Sequence, residues 1–292
     1  MLSNNVCIVM STYNGEKYIT TQLDSLLSQI GVNLIIYIRD DGSSDKTREI
    51  LKNYAKVHPN IVLSFENNIG YKKSFLKALH DAPNCDYYGF CDQDDYWFEN
   101  KILSTIELIE RTGSSLGFGN AIVTDENLIG EKTLYSKIDI PSFPESLYSS
   151  NTHGFLFCFT KEIRNLAIRY PIEEFDIPHD FWLITIAGLF GTIACDKEMV
   201  VAKYRRLPTS ISRRKPLQLF FNRALSLFYD KGIVEKYAKN ILIYYDGELE
   251  NGNMDLVNSC AFYRGRWNSK WYLLKNRTIK SKYKLKILLN KL

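Results

Sequence analysis

The chain has 292 residues, 37 basic against 33 acidic, and 45% apolar residues, which are the proportions of an ordinary folded protein and exclude global disorder. That length accommodates one large α/β domain with an appendage, or two domains with separate cores. The opening MLSNNVCIVMSTYNG lacks a basic segment followed by an apolar stretch and a cleavage site, and no run of about 18 apolar residues occurs, so a cytoplasmic chain without a spanning helix is expected.

Residues 6–11, VCIVMS, form a short apolar run that breaks at Thr12, Tyr13, Asn14 and Gly15, after which Tyr18, Leu23, Leu26 and Leu27 recur at helical spacing. The pattern strand, loop, helix then returns. NLIIYIRD ends in the turn-rich DDGSSDKT, and TREILKNYAKV follows as a helix with Ser44 or Asp45 as its N-cap. NIVLSFE leads through NNIG to YKKSFLKALHD, and CDYYGFCD leads through an acidic loop to FENKILSTIELIERTG. Four such units in a row predict an α/β fold with a doubly wound, mostly parallel sheet, whose functional loops lie at the C-terminal ends of its strands.

Beyond LGFGNAIVTDENLIG the regularity weakens, and residues 125–150 read as an irregular excursion rich in Pro, Ser and Tyr. A strand in GFLFCFT, a helix in KEIRNLAIRY, an apolar helix in HDFWLITIAGLF and a pair of strands in GTIACDKEMVVAKYRR follow. From about Lys215 onward the pattern is of amphipathic helices. The six cysteines (Cys7, Cys85, Cys91, Cys158, Cys195 and Cys260) make no C-x-x-C pair and read as reduced, mostly core residues.

Two of the strand-end loops carry paired aspartates, Asp40 with Asp41 and Asp92 with Asp94, so both clusters lie on one edge of the sheet. Turn chemistry alone accounts for DDGSSD; alternatively, one carboxylate of the pair accepts a ring N–H of a pyrimidine, which suits a group that only accepts. The acidic loop CDQDDYW is sharper, because solvated acidic clusters seldom follow an apolar strand and precede an aromatic pair such as Tyr96 and Trp97. Asp92 and Asp94 can both lean toward one hard divalent ion, Mn²⁺ or Mg²⁺, while phosphate oxygens fill its other positions. Asp180, in IPHDFW, is either a helix cap or a general base for a sugar hydroxyl, with His179 and Trp182 beside it. Arg205 and Arg206 follow directly on a strand and either face solvent or reach a diphosphate. His58, His80 and His153 show no metal-ligand spacing and read as structural.

With these residues in view, the chain resembles the family-two inverting glycosyltransferases of GT-A fold, in particular their bacterial rhamnosyltransferase-like branch. The motifs that carry the resemblance are STYNGEKYI, IRDDGSSDKTREIL, NNIG, CDQDDYWFENKI, HDFW and YRR, in that order across roughly residues 5–212. The resemblance implies a nucleotide-diphosphate-sugar donor such as dTDP-rhamnose, a divalent metal and a lipid-linked or oligosaccharide acceptor of bacterial surface polysaccharide. It implies that Thr12, Tyr13, Asn14 and Glu16 border the nucleotide and that Asp41 meets the base. Asp92 then lies by the ribose or the metal, Asp94 binds the metal, Asp95 supports them, and Asp180 is the base. Tyr96, Trp97 and Trp182 are expected as walls for sugar faces, and His179, Arg205 and Arg206 as candidates near sugar or diphosphate. The branch often has a histidine two residues after YR, where this chain has Leu207 and then Pro208. The expected division is a catalytic domain over 1–214, its nucleotide-sugar half ending near 124 and its acceptor half covering 125–214, followed by a helical region over 215–292.

Positive charge is concentrated in that last region. Residues 264–292 hold ten lysines and arginines and no acid, interleaved with Trp267, Trp271, Tyr272 and paired leucines. Such a segment either packs its leucines on the catalytic domain or lies peripherally on an anionic membrane surface. Nucleic-acid binding is not expected, since no recognised module is present. A dehydrogenase is excluded by the absence of G-x-G-x-x-G after the first strand. A nucleotidylyltransferase would want a Gly-rich basic first loop, and an inactive scaffold would not need four retained aspartates.

Overall fold

A computed structural model of the chain describes residues 4–148, 150, 152–207 and 232–289. Strands β1 (Asn5–Thr12), β2 (Asn33–Asp40), β3 (Ile61–Phe65) and β4 (Tyr87–Cys91) alternate with helices α1 (Ile19–Leu27), α2 (Thr47–Val57), α3 (Tyr71–Asp81) and α4 (Lys101–Thr112). Two-residue β5 (Tyr96–Trp97) precedes α4, and β6 (Leu116–Thr124), β7 (Lys132–Thr133) and β8 (Phe157–Thr160) follow it. Then come α5 (Lys161–Ala167), α6 (His179–Phe190), β9 (Ile193–Arg205), α7 (Ile233–Tyr244), α8 (Asn251–Phe262), α9 (Trp267–Lys275) and α10 (Ser281–Leu288).

All described strands join one sheet in the order β3-β2-β1-β4-β8-β6-β9-β5, with β7 added against β6. β3, β2, β1 and β4 are parallel, whereas β8 runs antiparallel to both β4 and β6. β1 is central and apolar on both faces: Val6, Cys7, Ile8, Val9 and Met10 are all fully buried. The chain walks outward from β1 to β3 and then jumps back to place β4 on the other side of β1. Right-handed crossovers therefore put α1 and α2 on one face and α3 on the other, and the direction reverses between β1 and β4. A crevice opens at the C-terminal ends of strands where such a reversal occurs, and this is where the loops of residues 12–16 and 92–95 emerge.

Three expectations are corrected. Asp45 is not at the cap position of α2, which Lys46 occupies; its carboxylate accepts instead from the Thr47 N–H at 3.0 Å, a capping role displaced by one residue. The helix in KEIRNLAIRY ends at Ala167, and Arg169 and Tyr170 leave it. GTIACDKEMVVAKYRR is one strand and not a pair: β9 runs parallel to β6 throughout, and Asp196 to Met199 are extruded as a bulge between the Phe118–Cys195 and Asn120–Val200 pairings. The Asn120 amide holds that bulge by donating to the Lys197 carbonyl at 2.7 Å. The cysteines are free and all buried except Cys195, as expected.

The described C-terminal helices share the main core. Trp182 of α6 is 1% exposed, enclosed by Tyr170 and by Tyr237 and Tyr245 of α7 and its end. Tyr237 also donates its hydroxyl to Asp176 at 2.8 Å, and the Tyr245 hydroxyl donates to the Leu166 carbonyl at 2.8 Å.

Candidate active site

Three loops meet at the switch point, and most of their polar groups hold one another. Thr12, buried at the end of β1, donates its hydroxyl to Asp40 at 3.1 Å and accepts the Asp41 N–H on its carbonyl at 2.8 Å. Asn14 adopts a positive φ of 47°, a conformation asparagine tolerates, and exchanges bonds with Ser43 and Ser44 at 2.9 Å each. The Glu16 carboxylate accepts the Lys46 N–H at 2.9 Å, and its own N–H donates to Asp45 at 3.0 Å. Thr12, Asn14 and Glu16 thus stitch the first loop to the second; of the four residues expected to border a nucleotide, Thr12 is buried, while Tyr13, Asn14 and Glu16 are exposed.

The two carboxylates of the second loop are unequal. Asp40 is fully buried and saturated by Thr12, by the N–H and hydroxyl of Ser43, and by Arg48 Nε. Asp41 Oδ1 is taken by Arg39 at 2.5 Å and the Ile69 N–H at 2.8 Å, while Oδ2 accepts, among the described residues, only the Gly70 N–H at 3.0 Å. Asp41 Oδ2 is therefore the oxygen of this pair with accepting capacity to spare.

The acidic loop lies across the crevice. Gln93 pins it to the first loop by a reciprocal pair, accepting the Tyr13 N–H at 2.9 Å and donating to the Tyr13 carbonyl at 3.1 Å. No salt bridge joins Asp92 or Asp94 to a described lysine or arginine. Loss of hydration raises the pKa of Asp92 to about 7, with the charges of Asp94 and Asp180 adding to it. Asp94 is raised by burial too, and the Arg205 guanidinium opposes that shift. Asp95 is fully buried; Oδ1 accepts the Arg205 N–H at 2.8 Å, Oδ2 has no partner among the described residues, and burial drives its pKa well up.

Asp180 is the second residue of α6. Its carboxylate accepts the Phe181 N–H at 3.0 Å and a further backbone bond from Gly154, yet burial outweighs both and raises its pKa to about 6. Its charge acts on Asp92, so α6 and the acidic loop converge on one space although 88 positions of sequence separate the two residues. Gly154 is required there: a Cβ would come within 2.8 Å of His179 Nε2 and 3.1 Å of the Asp180 Cβ. His179 itself stacks on Phe75 with ring centroids 3.9 Å apart, and burial lowers its pKa to about 3, so it is a neutral packing residue.

Several expected roles fail on burial. Trp97 is 0% exposed and carries the Lys101 ammonium over its ring at 3.7 Å, and Trp182 is core; neither is a wall for a sugar. Arg205 is 5% exposed and committed inward, donating from Nε to the Asp94 carbonyl at 2.6 Å and from a terminal nitrogen to the Glu126 carbonyl. It clamps the acidic loop, and of this pair Arg206 is the exposed one. Leu207, at the position of the branch's histidine, is 8% exposed and apolar, while Pro208 lies outside the described residues. Gln93, Arg39, Arg48 and Gly154 were missed, for a lone Gln, Arg or Gly has no spacing to betray it, whether it sits in a loop, as Gln93 does, in strand β2, as Arg39 does, or in helix α2, as Arg48 does. His153, read as structural, bonds the Tyr135 hydroxyl at 2.7 Å and feels the charge of Arg206; burial lowers its pKa to about 4.

Among the described residues no group of three or more His, Cys, Asp or Glu is arranged to hold a metal. A hard divalent ion that takes most of its oxygens from a ligand fits what is present, two unpaired carboxylates, Asp92 and Asp94, under mutual repulsion. Residues 7–163, more than half of the chain, match the model of the family described as Glycosyl transferase family 2. The dTDP-rhamnosyl transferase RfbG of Shigella flexneri is 32% identical over 193 residues, covering 61% of this chain and 64% of that protein. A UDP-Glc:alpha-D-GlcNAc-diphosphoundecaprenol beta-1,3-glucosyltransferase of Escherichia coli, WfaP, is 29% identical over 131 residues, 42% of this chain and 49% of that one. The chain thus spans less than two thirds of the length of either relative. The crystal structure of S. aureus TarS 1-349 with UDP-GlcNAc superposes with a TM-score of 0.60 at 20% identity, covering 99% of this chain and 79% of that one. The Pyrobaculum calidifontis mannosyltransferase PcManGT, in complex with GDP-Man and Mn²⁺, gives 0.52 at 13% identity, over 93% and 72%. The family match over more than half of the chain, on a sheet of this topology, identifies the chain as a member of glycosyl transferase family 2 with the GT-A fold.

Proposed function

We propose that the chain transfers a sugar with inversion from a nucleotide-diphosphate donor to a hydroxyl of a growing, lipid-linked bacterial surface glycan, and that the donor is dTDP-rhamnose. The observation that supports the reading is the charge of Asp180 acting on Asp92 of the acidic loop, together with the raised pKa of Asp180 itself. In the displacement, the acceptor oxygen forms a bond to the anomeric carbon, the bond from that carbon to the diphosphate oxygen breaks, and the acceptor proton passes to Asp180. Asp41 Oδ2 accepts from the base, Tyr13 covers it, and Arg206 approaches the diphosphate. Residues up to about 124 hold the donor and 125–214 meet the acceptor. Asp94 and Asp92 would hold Mn²⁺ or Mg²⁺, which supplies charge neutralisation for the departing diphosphate. The rhamnosyl choice rests on the dTDP-rhamnosyl transferase relative, and a UDP-hexose donor is the second reading, favoured by the UDP-Glc-dependent relative.

Thermal shift with dTDP-rhamnose, UDP-glucose, UDP-galactose and GDP-mannose, each with and without Mn²⁺, tests both. Stabilisation by dTDP-rhamnose alone, lost without Mn²⁺ and in Asp94→Asn, is expected. A response to a UDP-hexose instead selects the second reading, and stabilisation without turnover on any acceptor would leave a binding scaffold. Asp180→Asn should keep donor binding and lose about 10²–10⁴ in kcat. Because only ionised Asp180 accepts a proton, turnover should fall about tenfold per pH unit below about 6.

A further inference from the structure

The C-terminal helices bury only part of their apolar residues. On α10, Tyr283 and Ile287 face inward at 6% and 0% exposure, whereas Leu285, Leu288 and the capping Leu289 are each 52% exposed. On α9, Leu273 is buried while Trp267, Trp271 and Tyr272 are 70%, 51% and 36% exposed. Trp267 and Trp271 are four apart and share a helix face, as Leu285 does with Leu288 and Leu289. Lys270, between the tryptophans, brings its ammonium within 3.5 Å of the Leu288 carbonyl, so the two apolar faces adjoin as one surface.

Lys270 and Lys275 carry their ammonium groups over the Trp267 and Trp271 rings at 5.8 and 4.8 Å, and residues 264–292 hold ten lysines and arginines and no acid. We infer that α9 and α10 form a docking surface for an anionic lipid bilayer. Indole rings and leucines supply depth at the headgroup boundary, and the lysines and arginines of the segment supply attraction to negative headgroups. A second copy of the chain would bring like charge against like, whereas an anionic bilayer supplies the opposite sign. No described helix is long and apolar enough to cross a membrane, so the contact is peripheral. The surface is tied to the 125–150 excursion: Lys280 meets Asp139 at 2.9 Å and Glu145 at 3.1 Å, and the Tyr283 hydroxyl donates to Glu145 at 3.0 Å. Docking therefore sets the orientation of that excursion relative to the bilayer. The inference stands on these residues and is independent of the proposed activity.

The four tryptophans make the test specific, because Trp97 and Trp182 are 0% and 1% exposed and only Trp267 and Trp271 can meet lipid. The full chain is sedimented with phosphatidylcholine vesicles and with vesicles containing phosphatidylserine, and its fluorescence is followed with brominated acyl chains. Salt-sensitive sedimentation with the phosphatidylserine vesicles, with fluorescence quenching, is expected. The double variant Trp267→Ser with Trp271→Ser should bind about tenfold more weakly at an unchanged Tm, since both side chains are exposed. Equal or absent binding to the two vesicle types, or binding unaltered in the double variant, would overturn the inference. So would a dimer, detected by sedimentation equilibrium, that the double variant abolishes.

Discussion

Asp92 is poorly hydrated and pressed by two further carboxylates, so it keeps its proton up to about pH 7. In the unfolded chain the same group ionises near pH 4. Between those values the folded state binds the more protons, so the contribution of Asp92 to stability is fully present below about pH 4 and is lost as pH rises through about 7. At pH 8 the ionised group is a net cost on the order of 1–4 kcal/mol to the metal-free protein. Asp92→Asn keeps the shape without the charge, so the metal-free variant should melt several degrees above wild type at pH 8 and close to it at pH 4. Differential scanning calorimetry in chelator checks this, and a Tm at or below wild type at pH 8 would contradict it. His153 and His179, held neutral by burial, act in the opposite direction below about pH 6.5 but are common to both proteins.

At the scale of elements, the site is assembled by a clamp from the far end of the chain. Arg205, closing β9, fastens the main chain at Asp94 and Glu126 and stacks over Tyr18 at 4.5 Å. Arg205→Ala should cost about 1–3 kcal/mol in urea unfolding, because two part-buried carbonyls lose a charged donor and the packing of a buried side chain goes with it. Arg205→Lys should recover only part of that, since an ammonium cannot reproduce the planar fork. A loss below about 0.5 kcal/mol would show the loop to be held by other contacts. The paired-strand reading of residues 191–206 failed for a related reason. Asp196, Lys197 and Glu198 look like a turn locally, and only the parallel partner β6, with Asn120 to cap the bulge, keeps the strand running through them.

Across the whole molecule, the C-terminal helices complete the core on which α6 stands. Removing residues 232–292 would expose Trp182, Tyr170 and Phe175, a contiguous aromatic surface now covered from α7. The truncated chain is expected to lose its cooperative thermal transition and bind the dye ANS, and a sharp transition near the wild-type Tm would refute that. Tyr237→Phe is the mild counterpart, costing about 1 kcal/mol through its two bonds to Asp176.

Local order in the first half of the chain was written in the residues themselves. Apolar runs of strand length, the helical repeats of residues 47–57 and 71–81 and the turn chemistry of DDGS each carry their information within a few positions, and a succession of such units admits few topologies. The aspartates at 41, 92, 94 and 180 could likewise be picked out, since an acid at the end of an apolar element is conspicuous. What depended on tertiary structure was which side chains remain available. Trp97, Trp182 and Arg205 have the composition of binding residues and are enclosed, while Gln93 and Gly154 have none and hold the site together. Burial is set by partners dozens of positions away, and no short-range pattern encodes it.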